Sequence, residues 1–589
     1  MSKKSAQLGP FYTELLELLL HNSQQQAECN GQDPKLEMLW KNLPRNEMLP
    51  LEDIIERYQS LFAEKGAAHL EKALSDAFPV KDFIELGMTR TYPKVYRGLP
   101  RVYLKDLPSQ SRIQPPFSHL GHLKRQALSR SLFSLYAKVP AKGKATLFTW
   151  VMRDGQGDFF AGMEVYRMLK TRLPDVCMRF VALVPEELEF PLLEGATLIP
   201  YKEHCPVDCL PEAVLQMLKQ SDLILQLPTY YPHTSELREA LKNREGAQPK
   251  FEAVGEYGFL ESPYFHPGSG HYSMGLHFLE KGILTRKPCA ASWEDVQNER
   301  LKFYRNPANR FYLAYLTSPI GGAIYLHSLL KSLENDPLDI DICLPVLGWF
   351  FEFYEQQRKL GRDLFAWDLG VSSLEIYFQE QKHTVSLQPS GKKLRLICPG
   401  LLSQSDFRAL LALSGDWVAV RGNQSFSEAV SQGKAFFYDG RAHAQSFIKD
   451  LAAIAENRIG GYPGTLQCIR GMAQGFLYNV SAQDDTWVDE NYFQELEDWT
   501  AIALKMGLAL QDPETMVGFR KLNKILVDEC SAVAFLSHLV QRGLFHKSHP
   551  YLEQLEEDQV SKFIRGEQSF KSLILAQREL IERVSINTV

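Results

Sequence analysis

At 589 residues the chain is too long for one hydrophobic core, and roughly three or four domains of ordinary size are expected. Hydrophobic residues make up 45% and charged residues 23%, which excludes a chain that is disordered throughout. A formal net charge of -6 with a pI of about 6.2 excludes non-specific nucleic-acid binding as the main task.

The nine cysteines are an odd number without framework spacing, which fits a reducing compartment. The opening MSKKSAQLGPFYTELLELLL is briefly basic, but Glu14 and Glu17 interrupt its apolar run, so a signal peptide is not expected. The longest apolar run, Ile342 to Phe351, is about ten residues, contains Pro345 and Gly348, and is too short to span a bilayer. The expectation is a soluble, cytoplasmic, bacterial protein with no nucleic-acid and no membrane partner. Secretion as an effector through a specialised system leaves none of these signals. An acidic group at Glu553, Glu556, Glu557 and Asp558 fits such a signal, and it equally fits a solvated helix face.

Taken in chain order, residues 1–135 read as a helical N-terminal region. Leu51, Ile54, Ile55, Tyr58, Leu61 and Phe62 keep the 3.6-residue period. A Pro/Ser-rich connector follows at 107–119. Over 140–305, the segments KATLFTWVM, CMRFVALVP, ATLIPYK, DLILQLPTY and KFEAVGEYGF are of strand length, with helical stretches between several of them. That alternation predicts a Rossmann-like parallel sheet. Over 306–500 a second series runs RFYLAYLTSP, DIDICLPVL, KLRLICPG, DWVAVRG and KAFFYDG. From 501–589 the chain is again helical, with Leu573, Ile574, Leu580, Ile581 and Val584 on one stripe. The predicted fold class is α/β, with two doubly wound, Rossmann-like domains facing a cleft and helical extensions at both ends.

Two turns carry candidate chemistry. After the first strand, Asp154-Gly155-Gln156-Gly157-Asp158 forms a tight strand-to-helix turn, with Asp158 or Asp154 as a general base. The same residues serve equally as an ordinary connection in which Asp158 caps the helix. Gly155, Gly157 and Gly162 form a stretched dinucleotide fingerprint, but Asp158 stands where it would repel a pyrophosphate. In the second series, Arg421 to Tyr438 reads as strand end, turn, helix and strand. Ser425 and Glu428 have capping-box spacing, and a helix N-terminus beside Arg421 suits a diphosphate. Glu428 is a candidate ribose contact or simply the partner in the box. Lys434 is a weaker phosphate candidate that fits the start of the next strand. Between the turns, 264–282 reads as a loop rich in Gly, His and Ser, and His266 and His271 are more ordinary there as solvated side chains than as catalysts. Asp339 and Asp341 have D-x-D form but precede an apolar strand, and His204, Cys205 and Cys209 lack a partner pair for zinc. No metal or cofactor is expected.

Three segments together resemble the bacterial protein-arginine rhamnosyltransferases that modify elongation factor P, which are GT-B glycosyltransferases. Asp154 to Phe160 matches the family's D-N-F-G-D-I-G at both aspartates and Gly157. His266 to Leu276 matches its acceptor-side F-P-G-F-T-x-x-T-G-G-L at Pro267, Gly268, Gly275 and Leu276. Arg421, Gly422, Ser425, Phe426, Ala429, Gly433, Lys434 and Phe436 match R-G-E-D-S-F-x-x-A-x-x-A-G-K-P-F. The matches come in the family's order over roughly 145–455. Asn423 and Gln424 replace its acidic pair, so sugar and nucleotide preference are expected to differ.

The resemblance implies an inverting transfer from a nucleotide-diphosphate sugar to a protein side chain such as arginine. Arg421, Gly422, Asn423, Gln424, Ser425, Phe426 and Glu428 would bind the donor. Gly268, Ser269, Ser273 and Gly275 would line the acceptor side, and Asp158 with Asp154 would act as base. The alternative is a non-catalytic shell of the same fold that binds a protein, or a translocated effector acting on a host protein.

Overall fold

The computed structural model describes residues 129, 131–151, 157–186, 190, 195–201, 210–229, 234–242, 244–257, 271–276, 280–346, 369–378, 381–400, 402–439, 445–483, 499–564, 567–568 and 570–587. The expected N-terminal helices over 1–105, the connector at 107–119 and the His204–Cys209 cluster lie outside these residues. The chain divides into two compact units. One holds the described residues up to Ile283 together with those from Cys530 onward, and the other is Leu284–Glu529.

In the first unit, β1 (Gly143–Trp150), β2 (Val176–Pro185), β3 (Ala196–Tyr201), β4 (Leu223–Thr229), β5 (Lys250–Tyr257) and β6 (His271–Met274) form one sheet. Its order is β3-β2-β1-β4-β5-β6, and every neighbouring pair is parallel. Strands covered on both faces read as nearly continuous apolar runs, as β1 and β2 do. Helices α1 (Gly157–Arg172), α2 (Glu212–Lys219) and α3 (Thr234–Lys242) supply the crossovers. Phe148, Val181, Ile224 and Phe251 form one core with Val214, Leu215 and Leu218 of α2 and Leu237 and Leu241 of α3. Each fully buried leucine there contributes about 1.5–3 kcal/mol. β6 corrects the sequence reading, which left 264–282 as a loop. Four residues rich in His, Ser and Tyr carry no apolar alternation, and they form a strand because β5 offers an edge to pair with.

The second unit runs α4 (Glu299–Tyr304), β7 (Arg310–Leu313), α5 (Pro319–Ser332), β8 (Ile340–Cys343), β9 (Val371–Phe378), β10 (Gln381–Ser386) and β11 (Lys392–Cys398). It continues through α6 (Gln404–Leu413), β12 (Trp417–Val420), α7 (Asn423–Ser431), β13 (Ala435–Tyr438), α8 (Gln445–Ile459), α9 (Pro463–Gln483), α10 (Trp499–Gln511) and α11 (Pro513–Glu529). A five-stranded sheet has the order β10-β9-β11-β8-β7. The β12-β13 pair continues it, because Ala314 bridges Ala419 and the Tyr315 N–H donates to the Ala419 carbonyl at 2.9 Å. Apart from β10, which runs antiparallel to β9, the strands are parallel. The β9-β10 hairpin was not foreseen, since β10 is almost wholly exposed and polar. Gly507 lets α10 lie against α5, where an added Cβ would stand 2.5 Å from the Lys331 Cβ.

After Glu529 the chain returns to the first unit as α12 (Val533–Ser548), α13 (Pro550–Ile564) and α14 (Phe570–Asn587). The return is fixed beside Ile283, whose N–H donates to the Cys530 carbonyl at 2.7 Å and whose carbonyl accepts from the Ala532 N–H at 2.8 Å. Gly282 has φ 96° there, and a Cβ on it would lie 2.0 Å from the Cys530 carbonyl oxygen. Of the expected C-terminal stripe, Leu573 and Ile581 are buried. Leu580 and Val584 pack on the core formed by Tyr136, Phe545, Leu552 and Ile581. Among the described residues, no helix is long and apolar enough to cross a membrane.

Candidate active site

The Arg421 turn lies at the carboxyl end of β12, and β1, after which the first turn falls in sequence, likewise ends where the strand order reverses direction. Open α/β sheets bind ligands at such points. In the first sheet the reversal falls between β1 and β4, and α1 follows β1. In the second it falls between β7 and β12, which are followed by α5 and α7.

In the second unit, β12 ends at Val420, Arg421 and Gly422 make the turn, and α7 begins at Asn423. Gly422 sits at φ 80°, ψ 163°, a region essentially reserved for glycine. Among the described residues a Cβ on it would meet nothing within 4 Å, so the backbone conformation rather than packing requires glycine. The first turn of α7 has no acidic residue, and no side chain caps it. This corrects the capping-box reading. Gly422 occupies the cap position, so Ser425 lies inside the helix, and its hydroxyl donates back to the Arg421 carbonyl as serines within helices do.

Glu428 is likewise committed within the protein. Its side chain is 3% exposed, and Oε1 accepts from Arg408 at 3.0 Å, Arg286 at 3.0 Å and Gln424 at 3.1 Å. Phe426 is buried against Phe436, Phe447 and Tyr438, at centroid distances of 4.9, 5.0 and 5.2 Å, so it anchors the turn from below. Asn423 Oδ1 accepts from the Tyr438 hydroxyl at 3.3 Å. Lys434 donates to the Ser414 carbonyl at 2.5 Å, and burial lowers its pKa.

Sequence reasoning missed Asp439, at the end of β13. Its carboxylate accepts from the backbone N–H groups of Thr317 and Ser318 at 3.0 and 3.1 Å and from the Ser318 hydroxyl. It also lies 3.4 Å from Arg421 Nη1. One buried carboxylate thus joins the Arg421 turn to the loop that starts α5. Ser318-Pro319, an N-cap and N1 pair just after a strand, was the available signal. Thr317 Oγ1 and Gln424 Oε1 are buried at this point without a hydrogen-bond partner among the described residues.

In the first unit, Asp158 is the second residue of α1 and partly exposed. Gly162 lets α1 approach the sheet, since a Cβ there would stand 2.4 Å from Thr149 Oγ1 and 3.4 Å from the Leu227 carbonyl oxygen. Asp154, Gly268 and Ser269 lie outside the described residues. Ser273 is wholly buried on β6, and its hydroxyl lies 3.0 Å from both the Met274 carbonyl oxygen and Glu280 Oε1. Gly275, at φ 134°, exchanges backbone hydrogen bonds with Gly282. Both residues therefore brace the end of β6.

The D-x-D residues of β8 and its approach have protein partners. Both oxygens of Asp341 contact Arg395 Nη1, at 2.8 and 3.0 Å, and it also accepts from Asn306 and Asn309. Burial raises its pKa. Asp339 accepts from the Lys393 N–H at 2.7 Å.

No protein-family model matches the chain, and no curated protein matches it. Among solved structures it is similar to a family 9 glycosyl transferase from Veillonella parvula DSM 2008, at 12% identity over 51% of this chain and 82% of that chain, with a TM-score of 0.28. It is also similar to a mutant O-GlcNAc transferase from Thermobaculum terrenum, at 13% identity over 94% and 100% of the two chains, with a TM-score of 0.33. A third is α,α-trehalose 6-phosphate synthase from Burkholderia multivorans, at 9% identity over 70% and 98%, with a TM-score of 0.35.

Proposed function

We propose that the protein is a GT-B-type inverting glycosyltransferase that needs no metal ion and moves a sugar from a nucleotide-diphosphate donor to a protein side chain such as arginine. The observation that carries this reading is the uncapped Arg421–Gly422 turn at the switch point of the second sheet. A leaving diphosphate needs positive charge placed in advance. Arg421 supplies a guanidinium oriented by Asp439, and the N-termini of α5 and α7 add their dipoles. The turn amides of α7 would hold the phosphates. The Ser425 hydroxyl would have to leave the Arg421 carbonyl to join them.

In the transfer, the acceptor nitrogen forms a bond to the anomeric carbon as the bond to the diphosphate oxygen breaks. Asp158 takes the proton lost by the nitrogen, with Asp154 assisting. A base of this kind contributes about 10²–10⁴-fold. Asn423 and Gln424 bring amides rather than carboxylates to the start of α7, which removes negative charge beside the donor and favours a sugar or base other than the family's own.

The test incubates the protein with nucleotide-diphosphate sugars and candidate acceptor proteins and reads acceptor mass. A mass gain of one sugar, lost in Asp158→Ala while donor-induced thermal stabilisation persists, is the expected result. Stabilisation by a donor with no mass gain on any acceptor would favour the non-catalytic binding reading. Full transfer by Asp158→Ala would refute the assignment of the base.

A further inference from the structure

Helix α12 is held to the first sheet by a buried set of charges that the proposed reaction does not use. Lys250 and Glu252 of β5 share a face with Tyr272 of β6, and α12 covers that face so closely that a Cβ on Gly543 would stand 3.0 Å from Leu223. Arg542 of α12 is buried, 2.8 and 2.7 Å from Glu556 Oε1 of α13 and 3.4 Å from Glu252 Oε1. It also lies over the Phe133 ring at 4.6 Å. His546, one turn further along, sits 3.5 Å from Lys250 Nζ through Nδ1, and through Nε2 it sits 2.9 Å from the Tyr136 hydroxyl and 3.5 Å from Glu556 Oε2, a carboxylate that favours the charged ring. That hydroxyl lies 2.5 Å from Glu556 Oε2, and Lys250 also pairs with Glu553 at 2.5 Å.

These bonds run in one direction. An ammonium can only donate, so His546 Nδ1 accepts from Lys250. Nε2 then carries the proton and donates to Tyr136, whose own proton goes to Glu556. The chain closes only with a neutral imidazole. A second proton on Nδ1 would remove the acceptor and set an N–H against the Lys250 ammonium.

We propose that α12 is a proton-operated clasp: a neutral His546 holds it on the sheet, and because that imidazole can take up a second proton only once the clasp opens, mild acid shifts α12–α14 toward release. His538, eight positions earlier on α12, is half-buried. Burial and Arg172 lower its pKa. Burial together with Arg542, Lys250 and His549 pushes His546 far lower. A histidine held neutral in the fold stabilises it fully above about pH 6.5 and progressively less below. Glu252 acts in the opposite sense. Its Oε2 has no hydrogen-bond partner among the described residues, and burial raises its pKa, so its protonation in acid favours the closed state. Among the described residues, Tyr272, Glu553 and Glu557 are further titratable groups near this face.

The test is hydrogen exchange of α12–α14 in the full chain, corrected for intrinsic rates, in Glu252→Gln protein that lacks the opposing titration. One histidine of ordinary pKa about 6.5 raises the opening constant about tenfold between about pH 7.5 and pH 5.5. The expected result is a rise of at least that size confined to α12–α14, reduced about tenfold when His546→Gln is added. An equal rise with and without His546 would overturn the clasp. If the double variant fails to fold, His546→Asn in the Glu252→Gln protein decides: removing the titrating imidazole flattens the response, and an unchanged pH response refutes the proposal.

Discussion

Replacing Glu428 with alanine separates a ribose contact from a structural role. The carboxylate is 3% exposed and is shared by Arg286 and Arg408, whose side chains are 21% and 20% exposed. Removing one partner of a fully buried pair costs about 3–5 kcal/mol, and partial hydration of the two guanidiniums brings this to about 2–3 kcal/mol. For a domain of about 150–250 residues each kcal/mol is worth about 2–4 °C, so Tm should fall by about 4–12 °C. Glu428→Gln keeps an acceptor oxygen and should lose about half as much. Differential scanning fluorimetry with and without a stabilising donor reads both quantities. A Glu428→Ala protein with unchanged Tm but no donor-induced shift would place Glu428 at the nucleotide and refute this account.

Further outcomes follow from single contacts. Arg421→Met should weaken donor binding by about 1.5–3 kcal/mol, the range for a hydrogen bond to a charged group, and should also lower Tm because the buried Asp439 carboxylate loses a partner; titration calorimetry reads the affinity, and unchanged affinity would remove Arg421 from the donor site. Gly422→Ala should cost about 1–3 kcal/mol in urea unfolding, since its conformation is strained for any other residue while a Cβ there meets nothing within 4 Å among the described residues. Gly282→Ala should cost more than Gly422→Ala, because it adds a contact with the Cys530 carbonyl to the backbone strain, and a smaller loss would contradict the packing described. Asp158→Asn should lower transfer by about 10²–10⁴-fold while donor-induced stabilisation persists, and unchanged transfer would remove Asp158 as the base.

Much of the fold was legible because buried parallel strands announce themselves. KATLFTWVM, CMRFVALVP and DWVAVRG are apolar runs of strand length, and each is a strand. β6 and β10 were not legible, because short polar edge strands are stabilised by a neighbouring backbone rather than by their own side chains. The Arg421 turn was located correctly from a strand end, a glycine and a following helix. Its cap was misassigned, because Ser-x-x-Glu spacing recurs inside helices and only the backbone angles of Gly422 distinguish the two.

Local sequence, then, determined the buried strands and the helices between them, since apolar period and glycine placement act within a few residues. Tertiary structure decided everything that depends on partners distant in the chain. It gave Glu428 to Arg286 and Arg408, and Asp439 to the loop before α5. It also returned α12 to the first sheet, where Arg542 meets Glu252 across nearly three hundred positions of sequence. A buried charge can be recognised only when its partner is known, and no local pattern carries that information.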